Sequence, residues 1–253
     1  MHTQTCKIRS DAQSAVIFIH GFMGSPDQFA ELSDAVYNIG CTYVSVLLLG
    51  HGASVREFAK FGARDWQRHL QTEIDKIKND YQKIFIVGHS MGGLLGLNAS
   101  LIRENKISGV MLISTPLKVY LLNGKSFLAK LRLLFFPKSN EIKAMYLKSN
   151  SIAKSKLFFY PLAIKPVMEF YKLMKQTKKN LSEVFVPVYM FHSKNDETTS
   201  YKSAALLYKG LCNTKRAAFS LDKSWHAFYD VAEREFIRSK LIKFIQQIGL
   251  CSE

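Results

Sequence analysis

Residues 84–93 read IFIVGHSMGG, an apolar run that leads into three glycines grouped around one serine. Glycine stands two positions before Ser90, two positions after it and three positions after it, as Gly88, Gly92 and Gly93. A serine on an ordinary turn needs no such set of small neighbours. The spacing therefore poses a choice between a structural turn serine and a nucleophile held on a sharp turn.

The context of this motif favours the nucleophile. The apolar run at 83–87 predicts a strand, and 91–104 predicts a helix rich in small residues. A G-x-S-x-G motif between a strand and a helix is typical of a sharp turn that exposes its serine. Such a turn excludes bulk two positions from the serine, where this chain has Gly88 and Gly92. We therefore expect these glycines and His89 to form the turn that presents the nucleophile.

The rest of the chain alternates short apolar runs with amphipathic helical patterns. Continuous apolar strands separated by helices predict a mostly parallel sheet with helices on both faces, which is an α/β fold. Strands are predicted at 15–19, 42–49, 83–87, 109–115, 186–193 and 216–221, and helices at 26–38, 63–80, 91–104, 201–210 and 231–248.

Composition restricts the class of protein. The 253 residues, 47% of them hydrophobic, are enough for a large α/β domain with a sizeable core. The four cysteines are scattered without CxxC spacing, which argues against a zinc site or a disulfide framework and suits a reducing compartment. Residues 1–14 are polar, and no apolar run approaches the roughly 20 residues that span a bilayer. We therefore expect a cytoplasmic protein.

Positive charge is concentrated in one part of the chain. Residues 117–183 hold 14 Lys and Arg against three acids, so this segment carries +11 of the net +15. Together with its aromatic residues and helical stretches at 126–136 and 166–177, the shift predicts an inserted basic helical cap. The α/β core would then comprise 1–116 and 184–253. Solvated lysines on plain amphipathic helices are the alternative. The charge alone does not indicate a nucleic-acid partner, because no recognised nucleic-acid-binding motif accompanies it.

A serine nucleophile needs a base that takes its proton. In α/β proteins with the G-x-S-x-G turn, the chain order is serine, acid, histidine. His226, in the stretch DKSWHAFYD, follows the last predicted strand, where an open sheet places its ligands. His192 also lies late in the chain but precedes the candidate acid. His226 is therefore the expected base.

The acid that orients this base is expected to follow the strand at 186–193. The stretch FHSKNDETTS supplies Asp196, and we expect this residue to be the third member of the triad. Glu197 is adjacent to it, and Asp222 and Asp230 flank the histidine, so these three acids remain alternatives. Asp230 has the position of a helix N-cap.

An oxyanion hole requires two backbone N–H groups. Met91, directly after the nucleophile, supplies one of them. The loop after the first predicted strand, with His20 and Gly21, should supply the other. The N–H of Phe22 is the first choice and that of Met23 the second. His20 is then a turn histidine that holds this loop.

Taken together, these residues resemble the α/β-hydrolase family, and the pattern looks like bacterial carboxylesterases and monoacylglycerol lipases. The resemblance implies an eight-stranded, mostly parallel sheet with a cap after strand six, and a serine esterase mechanism without cofactor or metal. It also implies a structural role for His51, in a loop near the site. The motifs that carry it are HGFMGSPDQF at 20–29, LLLGHGAS at 47–54, Asp65-Trp66, GHSMGG at 88–93, Asp196 and His226.

The expected function is that of a serine carboxylester hydrolase acting on a monoacylglycerol or another short-to-medium acyl ester. A thioesterase or acyltransferase with the same triad is the alternative, a peptidase is less favoured, and a non-catalytic ligand-binding module is a remote possibility. The expected partners are a small-molecule acyl ester and, through the basic cap, an anionic lipid surface. No nucleic-acid partner is expected.

Overall fold

Seven strands form one sheet in this computed structural model, which describes residues 2–120, 151–153 and 161–250. The strand order is β1-β3-β2-β4-β5-β6-β7, and every pairing is parallel except that of the edge strand β1 with β3. This confirms the predicted α/β class. The strands are β1 (Thr5–Lys7), β2 (Ser14–Ile19), β3 (Thr42–Val46), β4 (Lys83–His89), β5 (Ile107–Ile113), β6 (Val188–Ser193) and β7 (Arg216–Leu221).

The strand count corrects one expectation. The family resemblance implied eight strands with the basic segment after the sixth, whereas the described residues form seven and the segment follows the fifth, β5. Two strands, β6 and β7, follow the segment, as eight strands with the segment after the sixth would imply, so the difference lies before the segment. All six strands predicted from apolar runs are present. Apolar runs could not predict β1, because its three residues are exposed.

Helices cover both faces of the sheet. One face packs with α3, α4 and α5 around a core that includes Trp66 and Phe170, and the other packs with α1 and α7 around Phe18 and Phe244. All nine residues of α4 are buried, since it lies between the sheet and α5. The helices are α1 (Ala30–Asn38), α2 (Val55–Phe58), α3 (Ala63–Ile77), α4 (Met91–Ala99), α5 (Ile164–Asn180), α6 (Lys202–Gly210) and α7 (Val231–Leu250).

Predicted and observed boundaries differ by a few residues. The predicted strand at 42–49 ends at Val46, and the predicted helix at 91–104 ends at Ala99, followed by a 3-10 turn at Arg103–Asn105. Apolar residues continue past both ends, so the sequence pattern alone could not locate them.

The basic segment is described only in part. The predicted helix at 166–177 lies inside α5, whereas the predicted helix at 126–136 lies outside the described residues. The division of the chain at 117–183 stays a prediction. Among the described residues, no helix has the length and apolar character needed to cross a bilayer.

Candidate active site

Ser90 stands at the turn between β4 and α4. Its backbone has φ +51° and ψ −118°, a conformation that a non-glycine residue adopts only at a cost. The Ser90 N–H donates to the carbonyl of Ile113, at the end of the neighbouring strand, over 2.8 Å. The side chain is buried, with 4% exposure. The turn is therefore the sharp strand-to-helix bend that the motif predicts.

Close packing explains the glycines around this turn. A Cβ built on Gly92 would collide with the carbonyl oxygen of Ile19, at the end of β2. One built on Gly88 would collide with the backbone of Gly93. Backbone atoms cannot rotate away as a side chain can, so larger residues would force the strand and the helix apart. The first turn of α4 thus lies directly against the strand that carries the His20 loop.

The structure brings the three predicted triad residues into one hydrogen-bonded series. His226 Nε2 lies 3.1 Å from Ser90 Oγ, and His226 Nδ1 lies 2.8 Å from Asp196 Oδ2. Parallel strands end at a common edge, so the loops after β4, β6 and β7 meet there. An ionised carboxylate only accepts hydrogen bonds, so Nδ1 carries the proton and Nε2 is left to accept from the serine hydroxyl.

Asp196 is held as an anion. Its side chain is 2% exposed, and Oδ1 accepts hydrogen bonds from the N–H groups of Thr198 (2.8 Å) and Thr199 (2.6 Å). Burial alone would raise the pKa of Asp196. The His226 ring and these two N–H groups outweigh burial and hold the pKa below its ordinary value. The carboxylate is therefore charged and fixed at neutral pH.

The alternative acids have other partners. Glu197 Oε2 accepts from the backbone N–H of His226 over 3.0 Å, a contact that sequence reasoning missed because the position suggested only a second candidate acid. Asp222 pairs with Lys194 at the surface (2.8 Å). Asp230 Oδ1 accepts from the N–H of Ala232 and caps α7, as expected.

The alternative base is also engaged elsewhere. His192 Nε2 lies 2.9 Å from the carbonyl of Thr115, and the ring is buried, with 2% exposure. Among the described residues, no cluster of three or more His, Cys, Asp and Glu side chains is arranged to hold a metal ion.

The two candidate loop donors differ in their hydrogen bonding. The Met23 N–H donates to His51 Nε2 over 3.2 Å, whereas the Phe22 N–H donates to no described residue. The Met91 N–H belongs to the first residue of α4, where a helix offers no acceptor. The N–H groups of Phe22 and Met91 are therefore not engaged by the described residues, which leaves both as candidates for the two oxyanion donors.

Two buried histidines fix the loop that carries Phe22. His20 accepts a hydrogen bond from the N–H of Leu48, and His51 accepts one from the N–H of Met23. The histidine of each loop thus binds the backbone of the other loop. Their ring centroids lie 4.6 Å apart. Burial lowers the pKa of His51 to about 4 and the pKa of His20 well below its ordinary value. Both rings are therefore neutral and able to accept hydrogen bonds near neutral pH.

Comparison with known proteins gives a family and two sets of relatives. The family model described as "Serine aminopeptidase, S33" matches residues 10–230. A thermostable monoacylglycerol lipase from Bacillus sp. (strain H-257) is 25% identical over 236 residues, which cover 92% of this chain and 91% of the relative. A carboxylesterase from Bacillus subtilis (strain 168) is 20% identical over 239 residues, with 92% and 93% covered.

Solved structures share the fold. A structure reported for the metagenome-derived lipolytic enzymes LipS and LipT superposes with a TM-score of 0.76 at 19% identity and covers 96% of this chain and 97% of its own. The monoacylglycerol lipase of Paleococcus ferrophilus superposes with a TM-score of 0.72 at 17% identity, with 92% and 94% covered. These likenesses extend over nearly the whole chain.

Proposed function

The chain belongs to the family described as serine aminopeptidase, S33, and is a serine hydrolase, and on that basis we propose that it hydrolyses carboxylic esters through an acyl-enzyme on Ser90. The observation that carries the proposal is the hydrogen-bonded series from Ser90 through His226 to Asp196. Its geometry allows His226 Nε2 to accept the proton of Ser90 Oγ while Nδ1 donates to Asp196.

Acylation begins when Ser90 Oγ attacks the ester carbonyl carbon and His226 Nε2 takes the hydroxyl proton. The carbonyl oxygen becomes an oxyanion, which accepts hydrogen bonds from the N–H groups of Phe22 and Met91. Asp196 stabilises the imidazolium without taking its proton. The tetrahedral intermediate collapses, the bond to the leaving oxygen breaks, and His226 returns the proton to the departing alcohol.

Deacylation repeats these steps with water. His226 takes a proton from water as its oxygen attacks the acyl carbon, and the same two N–H groups hold the second oxyanion. When this intermediate collapses, the bond to Ser90 Oγ breaks and the serine recovers its proton from His226. The products are a carboxylic acid and an alcohol, and no cofactor enters the balance.

We propose a monoacylglycerol or another short-to-medium acyl ester as the substrate. Two relatives are named for such activities, a monoacylglycerol lipase and a carboxylesterase. The side chain of Phe22, the residue that supplies the proposed oxyanion donor, packs among Phe58, Trp66 and Phe170, with ring centroids 5.1 to 6.0 Å away. These three rings are themselves buried, so they fix the Phe22 ring, which is only partly buried and is apolar, as contact with a hydrocarbon acyl chain requires.

The exposed side of α5 supports a lipid surface as partner. Ile164 and Met168 are 61% and 57% exposed, and Lys172, Lys175 and Lys179 continue the same stripe at helical spacing. Apolar side chains at one end and lysines along the remainder fit a membrane interface with anionic headgroups. This surface would bring the enzyme to esters that partition into lipid.

A second candidate, aminopeptidase activity, is favoured by the family description itself. Thioester hydrolysis and acyl transfer would use the same residues. The choice of substrate distinguishes these reactions. An amide substrate releases an amine, a thioester substrate releases a thiol, and acyl transfer requires an added alcohol as acceptor.

The test is a p-nitrophenyl ester series from C2 to C16 with wild type and Ser90→Ala, alongside aminoacyl p-nitroanilides and acyl thioesters. We expect ester turnover with a chain-length optimum, and loss of the nucleophile should lower kcat by about 10⁶-fold. Faster turnover of the anilides would replace the esterase proposal with the aminopeptidase. A Ser90→Ala protein that kept most of its esterase activity would remove Ser90 from the mechanism.

A further inference from the structure

Both peptide groups of His226 are held by side chains. The N–H donates to Glu197 Oε2 over 3.0 Å. The carbonyl oxygen accepts from His89 Nε2 over 2.8 Å and from the hydroxyl of Tyr229 over 3.0 Å. The base is therefore fixed through its backbone as well as through the contact of its ring with Asp196.

The hydrogen bond to the carbonyl defines the state of His89. A carbonyl oxygen only accepts, so His89 Nε2 carries the proton. Burial and the neighbouring His226 ring, whose centroid is 4.9 Å away, lower the pKa of His89 to about 3. The ring is therefore neutral at any working pH, and its ability to donate does not change with pH in that range.

His89 also lies against the loop of the oxyanion hole. A Cβ built on Gly21 would come within 2.9 Å of His89 Nδ1, so only glycine leaves room for this ring. His89 Nδ1 is buried and has no hydrogen-bond partner among the described residues. One imidazole thus fills the space between the Gly21 loop and the loop that carries the base, and its single hydrogen bond is directed at the base.

Two of these three contacts, those of His89 and Glu197, come from residues adjacent to the other triad members, while the third comes from Tyr229. His89 precedes Ser90, and Glu197 follows Asp196. A displacement of the His226 backbone relative to the nucleophile would stretch the bond to His89, and a displacement relative to the acid would stretch the bond to Glu197. His89 and Glu197 together therefore fix the position of the His226 backbone relative to both Ser90 and Asp196.

We propose that His89 and Glu197 are positioning residues that hold the backbone of His226, so that its ring stays aligned between Ser90 and Asp196. The proposal rests on the triad mechanism proposed above. Neither side chain touches the substrate in this role. Misplacement of a reacting group by about 1 Å can cost on the order of 10²-fold in rate, so loss of either contact should lower kcat and leave substrate binding unchanged.

The test compares matched pairs of variants. His89→Leu removes the donor at similar volume, while His89→Gln can place an amide N–H near the former Nε2. Glu197→Met removes the acceptor, while Glu197→Gln keeps an oxygen for the His226 N–H. On p-nitrophenyl butyrate we expect kcat to fall about 10- to 100-fold in His89→Leu and about 10-fold in Glu197→Met, with KM within twofold. Each amide variant should recover most of the loss.

Several results would overturn the proposal. A kcat within threefold of wild type in His89→Leu would do so for His89, as would a His89→Gln protein as slow as His89→Leu, because packing rather than donation would then be the cause. Glu197 lies nearer the surface, so its pair decides the question if His89→Leu does not fold. Unchanged kcat in Glu197→Met would remove its role.

A second measurement separates positioning from damage to the oxyanion hole. In a His226→Ala background, the residual ester hydrolysis should be the same before and after His89→Leu is added. A further fall would mean that His89 acts on the turn or on the loop of Gly21. Ser90→Ala assayed beside these variants tests the mechanism itself: if that variant stays active, the triad is wrong, whatever His89→Leu shows.

Discussion

The turn around Ser90 and the exposed stripe of α5 are opposite kinds of surface. Ser90 is 4% exposed, and its neighbours contact the backbone of β2 and β5. Ile164 is 61% exposed, and the stripe that begins there continues into lysines. The first region is packed against other parts of the molecule, whereas the apolar end of the second leaves apolar surface in water.

Because of this difference, the structure explains the residue types of the turn more fully than those of α5. In the turn, the structure gives a steric or chemical reason for each residue type. Position 92, for example, has no room for a side chain because a Cβ there would collide with the carbonyl oxygen of Ile19. In α5, the same residue types also occur on solvated helices, so an experiment with lipid is what separates the two roles. One substitution should therefore have a larger effect in the buried region than in the exposed one.

The largest effect is expected from Asp196→Asn. The amide keeps the shape of the side chain but can donate to His226 Nδ1, which favours the wrong tautomer and removes the charge that stabilises the imidazolium. We expect kcat on p-nitrophenyl butyrate to fall about 10⁴-fold, with folding unchanged by circular dichroism. Asp222→Asn, at the exposed pair with Lys194, is the control and should keep its activity.

A steric prediction concerns Gly92→Ala. One methyl group must displace the carbonyl of Ile19 or the first turn of α4, and overpacking of this kind costs about 3 kcal/mol. Urea denaturation should show the free energy of unfolding lowered by that amount. Gly40→Ala is not a matched control because Gly40 has φ +95°, so Ser100→Ala, at the end of the same helix, serves instead. Wild-type stability in Gly92→Ala would contradict the packing at this turn.

A pH prediction concerns His51. Its pKa is about 4 in the folded protein against 6.5 ordinarily, because burial disfavours the charged ring. Between these values the unfolded chain binds a proton at His51 that the folded chain does not, so the contribution of His51 to stability falls as the pH drops from about 6.5 to about 4 and then levels off. The full loss from this residue is about 3 kcal/mol.

His51→Gln checks this assignment. The amide oxygen can still accept from the Met23 N–H, but the side chain does not titrate. The free energy of unfolding, measured between pH 8 and pH 4, should decline less steeply in the variant by about 3 kcal/mol. Parallel curves for the two proteins would show that His51 does not stay neutral in the folded state.

The smallest effect is expected at the exposed stripe. Lys175→Gln combined with Lys179→Gln should lower activity on monoacylglycerol in anionic vesicles about 30-fold, because each lysine near such a surface contributes about 1 kcal/mol to binding. The loss should disappear at high salt, and turnover of p-nitrophenyl butyrate should not change. Lys243→Gln, on the exposed side of α7, is the matched control for charge. Equal loss in the control would remove the lipid role of this face.

The sequence predicts the parallel strands because a strand that is buried on both faces requires a short continuous run of β-branched and other apolar residues. It does not predict β1, whose exposed residues carry no pattern. The residues of the hydrogen-bonded series follow from the order and loop positions of Ser90, Asp196 and His226. The contacts of Glu197 and His89 with the backbone of His226 could not be predicted, because contacts between loops distant in the chain leave no periodicity.

The most direct test of the mechanism is labelling with a fluorophosphonate, followed by peptide mass spectrometry of wild type and His226→Ala. The account predicts one phosphonyl group per chain, bound to Ser90, loss of esterase activity in step with labelling, and labelling at least about 10³-fold slower in His226→Ala. A wild type that hydrolyses esters but is not labelled at Ser90, or one that loses activity through a label on another residue, would contradict it.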